Sequence, residues 1–317
     1  MNKPISQYVE LKCYLFYICS IITNLEVYEG KMKFRLIVLS VLVFVISFTG
    51  LKAENGKAIS KDGVEIAYTV DGNGTTADAP ALVFVHGWSC DKSFWNNQIS
   101  AFASKYEVVA IDLGGHGESG INRKNWTLDA FAEDVAAVVN KLGLKKIILV
   151  GHSMGGPVTI EAANKLKGKV IGLIGADTFQ NLGKTIPDSL VGPFLKPFRN
   201  NFSSTTKDFA KAMFPSNADS TLVKRVADKM SSAPPEIAIN VMENMFKDNA
   251  VSALKEFNAP IISINCDHYP VQVESNKKQV KFYEIKIMKG VGHFVMLENP
   301  NEFNRLLQES VDELVKM

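Results

Sequence analysis

Lys145-Lys146-Ile147-Ile148-Leu149-Val150-Gly151-His152-Ser153-Met154-Gly155 is the stretch on which the fold turns. Ile147 to Val150 is wholly apolar and short, the pattern of a strand covered on both faces. From Met154 to Lys165 the apolar spacing becomes helical. The chain must therefore pass from strand to helix across Gly151–Gly155, a G-x-S-x-G pentapeptide. A turn this sharp exposes the Ser153 hydroxyl at the carboxyl end of the strand. Glycine at 151 and 155 keeps side chains out of a crowded backbone.

Working outward, the same short apolar runs recur at Ala81 to Val85, Val108 to Ile111, Val170 to Ile174 and Pro260 to Ile264. Between them lie amphipathic stretches of helical length: Lys92 to Ser104, Leu128 to Leu142 and Asn301 to Val315. Alternation of this kind predicts an α/β fold, a mostly parallel central sheet with helices on both faces. Lys57 to Val70 reads as a hairpin about Asp62-Gly63, followed by a loop from Asp71 to Pro80. The rhythm stops between about Gln180 and Ala250. There the sequence is helical, punctuated by Pro187, Pro193, Pro197, Pro215, Pro234 and Pro235, which predicts an inserted helical cap. No internal repeat or linker marks a second independent domain, so residues 54–317 are expected to form one domain carrying the cap.

The chain of 317 residues is 46% hydrophobic and 21% charged, an ordinary globular composition. Its formal charge of +2 is concentrated at the N-terminus: beyond residue 53 it carries 29 basic and 30 acidic residues. A near-neutral body has no electrostatic footprint for nucleic acid. Residues 1–53 read as an extension and signal peptide. From Met32, the expected true start, Lys33 and Arg35 form a charged region. Leu36 to Phe48 is apolar apart from Ser40 and Ser47, and cleavage is expected near Ala53. Export to the periplasm or the medium follows; the alternative is a membrane anchor formed by residues 36–51, although a span needs roughly 20 apolar residues. A start at Met32 removes Cys13 and Cys19 and leaves Cys90 and Cys266.

Four separated motifs resemble the alpha/beta-hydrolase family from about Lys57 to the C-terminus. They are His86-Gly87-Trp88, the run Asp112-Leu113-Gly114-Gly115-His116-Gly117-Glu118-Ser119, the turn around Ser153, and Gly290-Val291-Gly292-His293-Phe294. The resemblance implies the alpha/beta-hydrolase fold and a Ser, acid, His order along the chain. A serine hydroxyl needs a base to become a useful nucleophile. Of the five histidines, His293 is expected to serve, in a glycine-rich loop where the family places its base. His268 is its rival, while His86 and His116 suit structural roles. Asp267, directly after the Pro260 to Cys266 strand, is the expected orienting acid, with Asp177 after the preceding strand as the alternative. Backbone N–H groups of Trp88 and Met154 are the expected oxyanion donors.

The expected reaction is hydrolysis of a carboxylic ester, lactone or thioester of a small, largely apolar substrate through an acyl-enzyme. The same residues support carbon–carbon bond hydrolysis of a diketone or cofactor-free perhydrolysis. A ligand sensor with a slow site is a rival from a different class. Ser153 at the turn disfavours the aspartate chemistry of dehalogenases and epoxide hydrolases. No metal-ligand spacing, phosphate loop or dinucleotide fingerprint occurs, so no cofactor or metal is implied. A small-molecule substrate is the expected partner, with membrane contact only through an uncleaved N-terminus; substrate-binding residues and oligomeric state are left open. The Phe- and Met-rich cap leans toward an apolar acyl or alkyl group. Cys90 and Cys266, both placed at the carboxyl edge of the sheet, could pair after export or remain buried thiols.

Overall fold

The computed structural model describes residues 53–72, 78–183, 186–247 and 253–317. The signal peptide and anchor expected in residues 1–53 fall outside this range but for Ala53, as do Cys13 and Cys19.

Eight strands form one sheet in the order β1-β2-β4-β3-β5-β6-β7-β8. They are β1 (Glu54–Ile59), β2 (Glu65–Asp71), β3 (Ala81–Val85), β4 (Val108–Ile111), β5 (Ile147–His152), β6 (Val170–Ala176), β7 (Ile261–Cys266) and β8 (Tyr283–Met288). The first two make the expected antiparallel hairpin, with Ile59 opposite Glu65, and β2 runs antiparallel to β4. From β4 to β8 every pairing is parallel. Ile147, Ile148, Leu149 and Val150 at the centre are fully buried, each contributing roughly 2 kcal/mol relative to exposure.

Helices cover both faces. On one, α2 (Leu128–Lys141) and α3 (Gly155–Lys165) pack together; on the other, α1 (Asn96–Phe102) meets the C-terminal helix α10 (Pro300–Lys316). The stretch expected as one helix from Lys92 begins instead as a 3-10 turn, Lys92–Trp95, because Asp91 accepts the Ser93 amide and tightens the first turn. Thr127 caps α2 through the Ala130 amide at 3.2 Å, and Asn299 caps α10 through that of Glu302.

Between β6 and β7 the chain forms α4 (Asp188–Asn200), α5 (Phe202–Ala212), α6 (Ser220–Ser231) and α7 (Pro235–Lys247). Asn201 and Asp219 cap α5 and α6. Pro193 and Pro197, read from the sequence as punctuation, lie inside α4. Both are exposed, so the carbonyls that lose their N–H partners can meet water, while Val191, Leu195 and Phe198 keep one apolar face buried. After β7 come α8 (Val273–Gln279), β8 and the short α9 (Val295–Glu298).

Candidate active site

Ser153 stands between β5 and α3 with φ of +51°, a conformation L-residues adopt at a cost of about 1 kcal/mol or more. The turn is held from three sides. The Ser153 amide donates to Ala176 O (3.2 Å), the Gly156 amide donates to Ser153 O (2.9 Å), and Thr178 Oγ1 donates to the same carbonyl (2.9 Å). A Cβ on Gly151 would strike the Gly155 backbone, and one on Gly155 would strike Val85 O of β3. Only glycine lets turn, helix and neighbouring strand approach this closely.

His293 lies between β8 and α9. Its Nδ1 is 2.6 Å from Asp177 Oδ2. Asp177 directly follows β6, is 1% exposed, and also accepts the Cys266 amide at 3.0 Å through Oδ1. With Nδ1–H donated to a buried carboxylate, the imidazole keeps Nε2 as its acceptor. Ser153 and His293 face the same cavity, of about 350 Å³. No hydrogen bond joins them in the structure.

The expectation for Asp267 is therefore corrected. Asp267 is exposed and only accepts the Gly290 amide at 3.4 Å. The reason lies in the register: Cys266, the last residue of β7, points its amide at Asp177, and the Asp267 amide turns to Met288 O at the end of β8. Asp177 lies one strand nearer Ser153, fixed by its own amide to Ile264 O. His268, the rival base, is exposed and stacks its ring edge on Tyr269.

Trp88 and Met154, the expected oxyanion donors, both line this cavity. Met154 stands at the N-terminus of α3, where amides lack helical partners. Neither amide donates to an acceptor among the described residues. The Trp88 side chain ties the sheet to the insertion: its Nε1 donates to Ala238 O (2.8 Å), and Phe198, Phe202 and Phe209 meet its ring edge to face.

Glu298 was not foreseen. It accepts the amides of Gly292 (2.8 Å) and Phe294 (3.1 Å), the two residues flanking His293. Burial pushes its carboxyl above the usual range, against the pull of those amides. The His293 amide donates to Met213 O of the insertion at 2.9 Å, and His152 Nε2 donates to His293 O at 3.0 Å. Every peptide unit around His293 is thus anchored. The only sequence signal for Glu298 was its position in the segment after the histidine loop.

His86 donates from Nδ1 to Gly87 O (2.7 Å) and accepts the Leu113 amide at Nε2 (3.1 Å). Burial holds its pKa down at about 4 and that of His116 at about 3. The Asp112 motif is equally structural: its carboxylate takes the Lys92 amide and ammonium and the Glu118 amide. Cys90 and Cys266 are buried free thiols, not a disulfide. Cys90 Sγ donates to Trp88 O, and burial, with Asp177 nearby, pushes the Cys266 thiol up to about 12.

Residues 82–306 match the model of the alpha/beta hydrolase family. The chain is 41% identical to the bifunctional esterase/perhydrolase of Acinetobacter calcoaceticus over 102 residues, 32% of this chain and 36% of that protein. It is 25% identical to a non-heme chloroperoxidase of Kitasatospora aureofaciens over 276 residues, 80% of this chain and 98% of the relative. An esterase structure from Exiguobacterium antarcticum superposes with a TM-score of 0.72 at 18% identity, covering 82% of this chain and 100% of that one.

Proposed function

Because this chain belongs to the alpha/beta hydrolase family, we propose that it hydrolyses carboxylic esters of small, largely apolar acids with Ser153 as nucleophile. The observation that carries this reading is the 2.6 Å contact of His293 with buried Asp177 at the cavity Ser153 lines. In the first step Ser153 Oγ bonds to the ester carbonyl carbon and its proton passes to His293 Nε2. Asp177 stabilises the imidazolium, and the Trp88 and Met154 amides receive the oxyanion. Collapse breaks the bond to the alkoxide, which takes the proton from His293. Water then gives a proton to His293 and attacks the acyl-enzyme, releasing the acid and restoring Ser153. Met230, Met242 and Phe209 give the cavity an apolar wall that suits the acyl group.

The test is hydrolysis of nitrophenyl esters from acetate to decanoate by the full chain and by Ser153→Ala. Loss of at least about 10⁴-fold in the variant is expected; retained turnover would remove Ser153 from the mechanism.

A second reading is perhydrolysis, in which hydrogen peroxide replaces water and the acyl-enzyme yields a peracid. The name of the Acinetobacter relative, a bifunctional esterase/perhydrolase, favours it. Peracid formed per ester consumed, in the presence of peroxide, measures that branch directly.

We also propose export through the segment from Met32 to Ala53, on its charge and hydropathy pattern. The mass of the mature chain tests it: a protein beginning after Ala53 supports cleavage, and one that retains residues 36–51 supports the anchor.

A further inference from the structure

A second cavity, of about 780 Å³, adjoins the first. Six residues line both: Pro157, Thr178, Gln180, Met245, Phe246 and Tyr269. They line the boundary shared by an inner chamber at Ser153 and an outer one.

The two chambers differ in chemistry. Beyond Ser153, His293 and Asp177, the inner wall includes the buried Trp88, Cys90, Met230, Met242 and Phe294 and the half-buried Phe209 and Met213. The outer chamber adds Asn181, Asp188, Lys247 and Gln272 to its apolar residues. Asp188, Lys247 and Pro270 are exposed, so this chamber reaches solvent. One acid and one base leave it without a dominant charge, and Lys247 is paired with Glu243.

The shared boundary holds two polar groups without a hydrogen-bond partner among the described residues. Neither the Gln180 side-chain amide nor the Tyr269 hydroxyl hydrogen-bonds to any other described residue; Gln180 is half-buried and Tyr269 is exposed at the chamber's edge. The neighbouring Thr178 hydroxyl is already committed to Ser153 O. Polar groups in such a position satisfy themselves on a ligand or on water.

We infer that the outer chamber holds the alcohol part of the ester, and that Gln180 and Tyr269 bind an uncharged polar group on it, such as a hydroxyl or carboxamide. The inference rests on the reading of Ser153 as nucleophile and deepens it. The acyl group must stay on Ser153 through the second half of the reaction, and the apolar wall of the inner chamber suits it. The alcohol leaves first, so it belongs on the side that opens to solvent. The substrate class is then an ester joining a compact apolar acid to an extended, uncharged polar alcohol.

The test compares butyrate esters of two alcohols of equal size, one ending in a carboxamide and the other in an isopropyl group. The full-length protein should favour the carboxamide ester about tenfold in kcat/KM. Gln180→Leu with Tyr269→Phe should bring the ratio to about one. A wild-type ratio of one or below overturns the inference without recourse to a variant, and so does a preference that the double variant retains. Labelling by a small alkyl fluorophosphonate, read as a mass gain absent from Ser153→Ala, separates the two levels. Without labelling both the hydrolase reading and this inference fall; labelling with a flat ratio overturns only the chamber assignment.

Discussion

The carboxyl edge of the sheet and the four-helix insertion face each other across one cavity. At the sheet edge, Asp177, His293, His152 and Glu298 are joined by directional hydrogen bonds to each other and to buried backbone. Across the cavity, Phe209, Met213, Met230, Met242, Met245 and Phe246 offer apolar surface. Hydrogen bonds demand fixed distances, whereas thioethers and rings tolerate several packings. The edge is therefore suited to hold reacting atoms in place, and the insertion to shape what may bind beside them. The two regions touch where precision is needed, at Met213 O on the His293 amide and at Trp88 Nε1 on Ala238 O.

The sharpest way to break this contrast lies within the edge. Asp177→Asn should lower kcat by about 10⁴-fold, because the imidazole loses its charged partner and its tautomer. Asp267→Asn should stay within about threefold of wild type. Equal losses would return Asp267 to the site.

Acid should strike the edge before the insertion, whose helices contain no histidine. With pKa values near 4 and 3 through burial, His86 and His116 bind protons less readily folded than unfolded, where about 6.5 is expected. Their contribution is complete above pH ~6.5 and is lost as pH falls toward 4. Each histidine can lower stability by up to about 1.4 kcal/mol per pH unit over that window. Urea midpoints measured from pH 7 to 4.5 should fall steadily; a flat profile would contradict neutral burial of these rings.

Glu298→Gln tests whether the histidine loop is held from behind. It leaves one of two amides without its carboxylate acceptor, and we expect kcat to fall about tenfold with KM little changed. A rise in KM alone would move Glu298 to substrate binding.

The smallest effect on catalysis should come from the insertion. Met242→Ala enlarges the inner chamber, so preference for decanoate over butyrate should rise a few-fold. The urea midpoint should register about 2 to 4 kcal/mol of lost packing. An unchanged chain-length profile would mean that Met242 only packs the insertion onto the domain.

Much was legible in sequence because it is local. Apolar runs of strand length, helical spacing and the Gly151–Gly155 pentapeptide each report on a few consecutive residues. From these came the parallel sheet, the turn at Ser153, the helical stretch before β7 and the histidine loop. Which carboxylate meets His293 is not local. Asp177 and Asp267 both follow an apolar strand, and sequence order permits either. The register of β6 against β7 decides between them by pointing the Cys266 amide at Asp177 and leaving Asp267 exposed. Tertiary structure likewise decided that Cys90 and Cys266 remain free thiols, that Glu298 clasps the peptides around His293, and that Gln180 and Tyr269 line both cavities. A pattern along the chain specifies what each segment can become, but contacts between residues far apart in sequence exist only once the strands have chosen their neighbours.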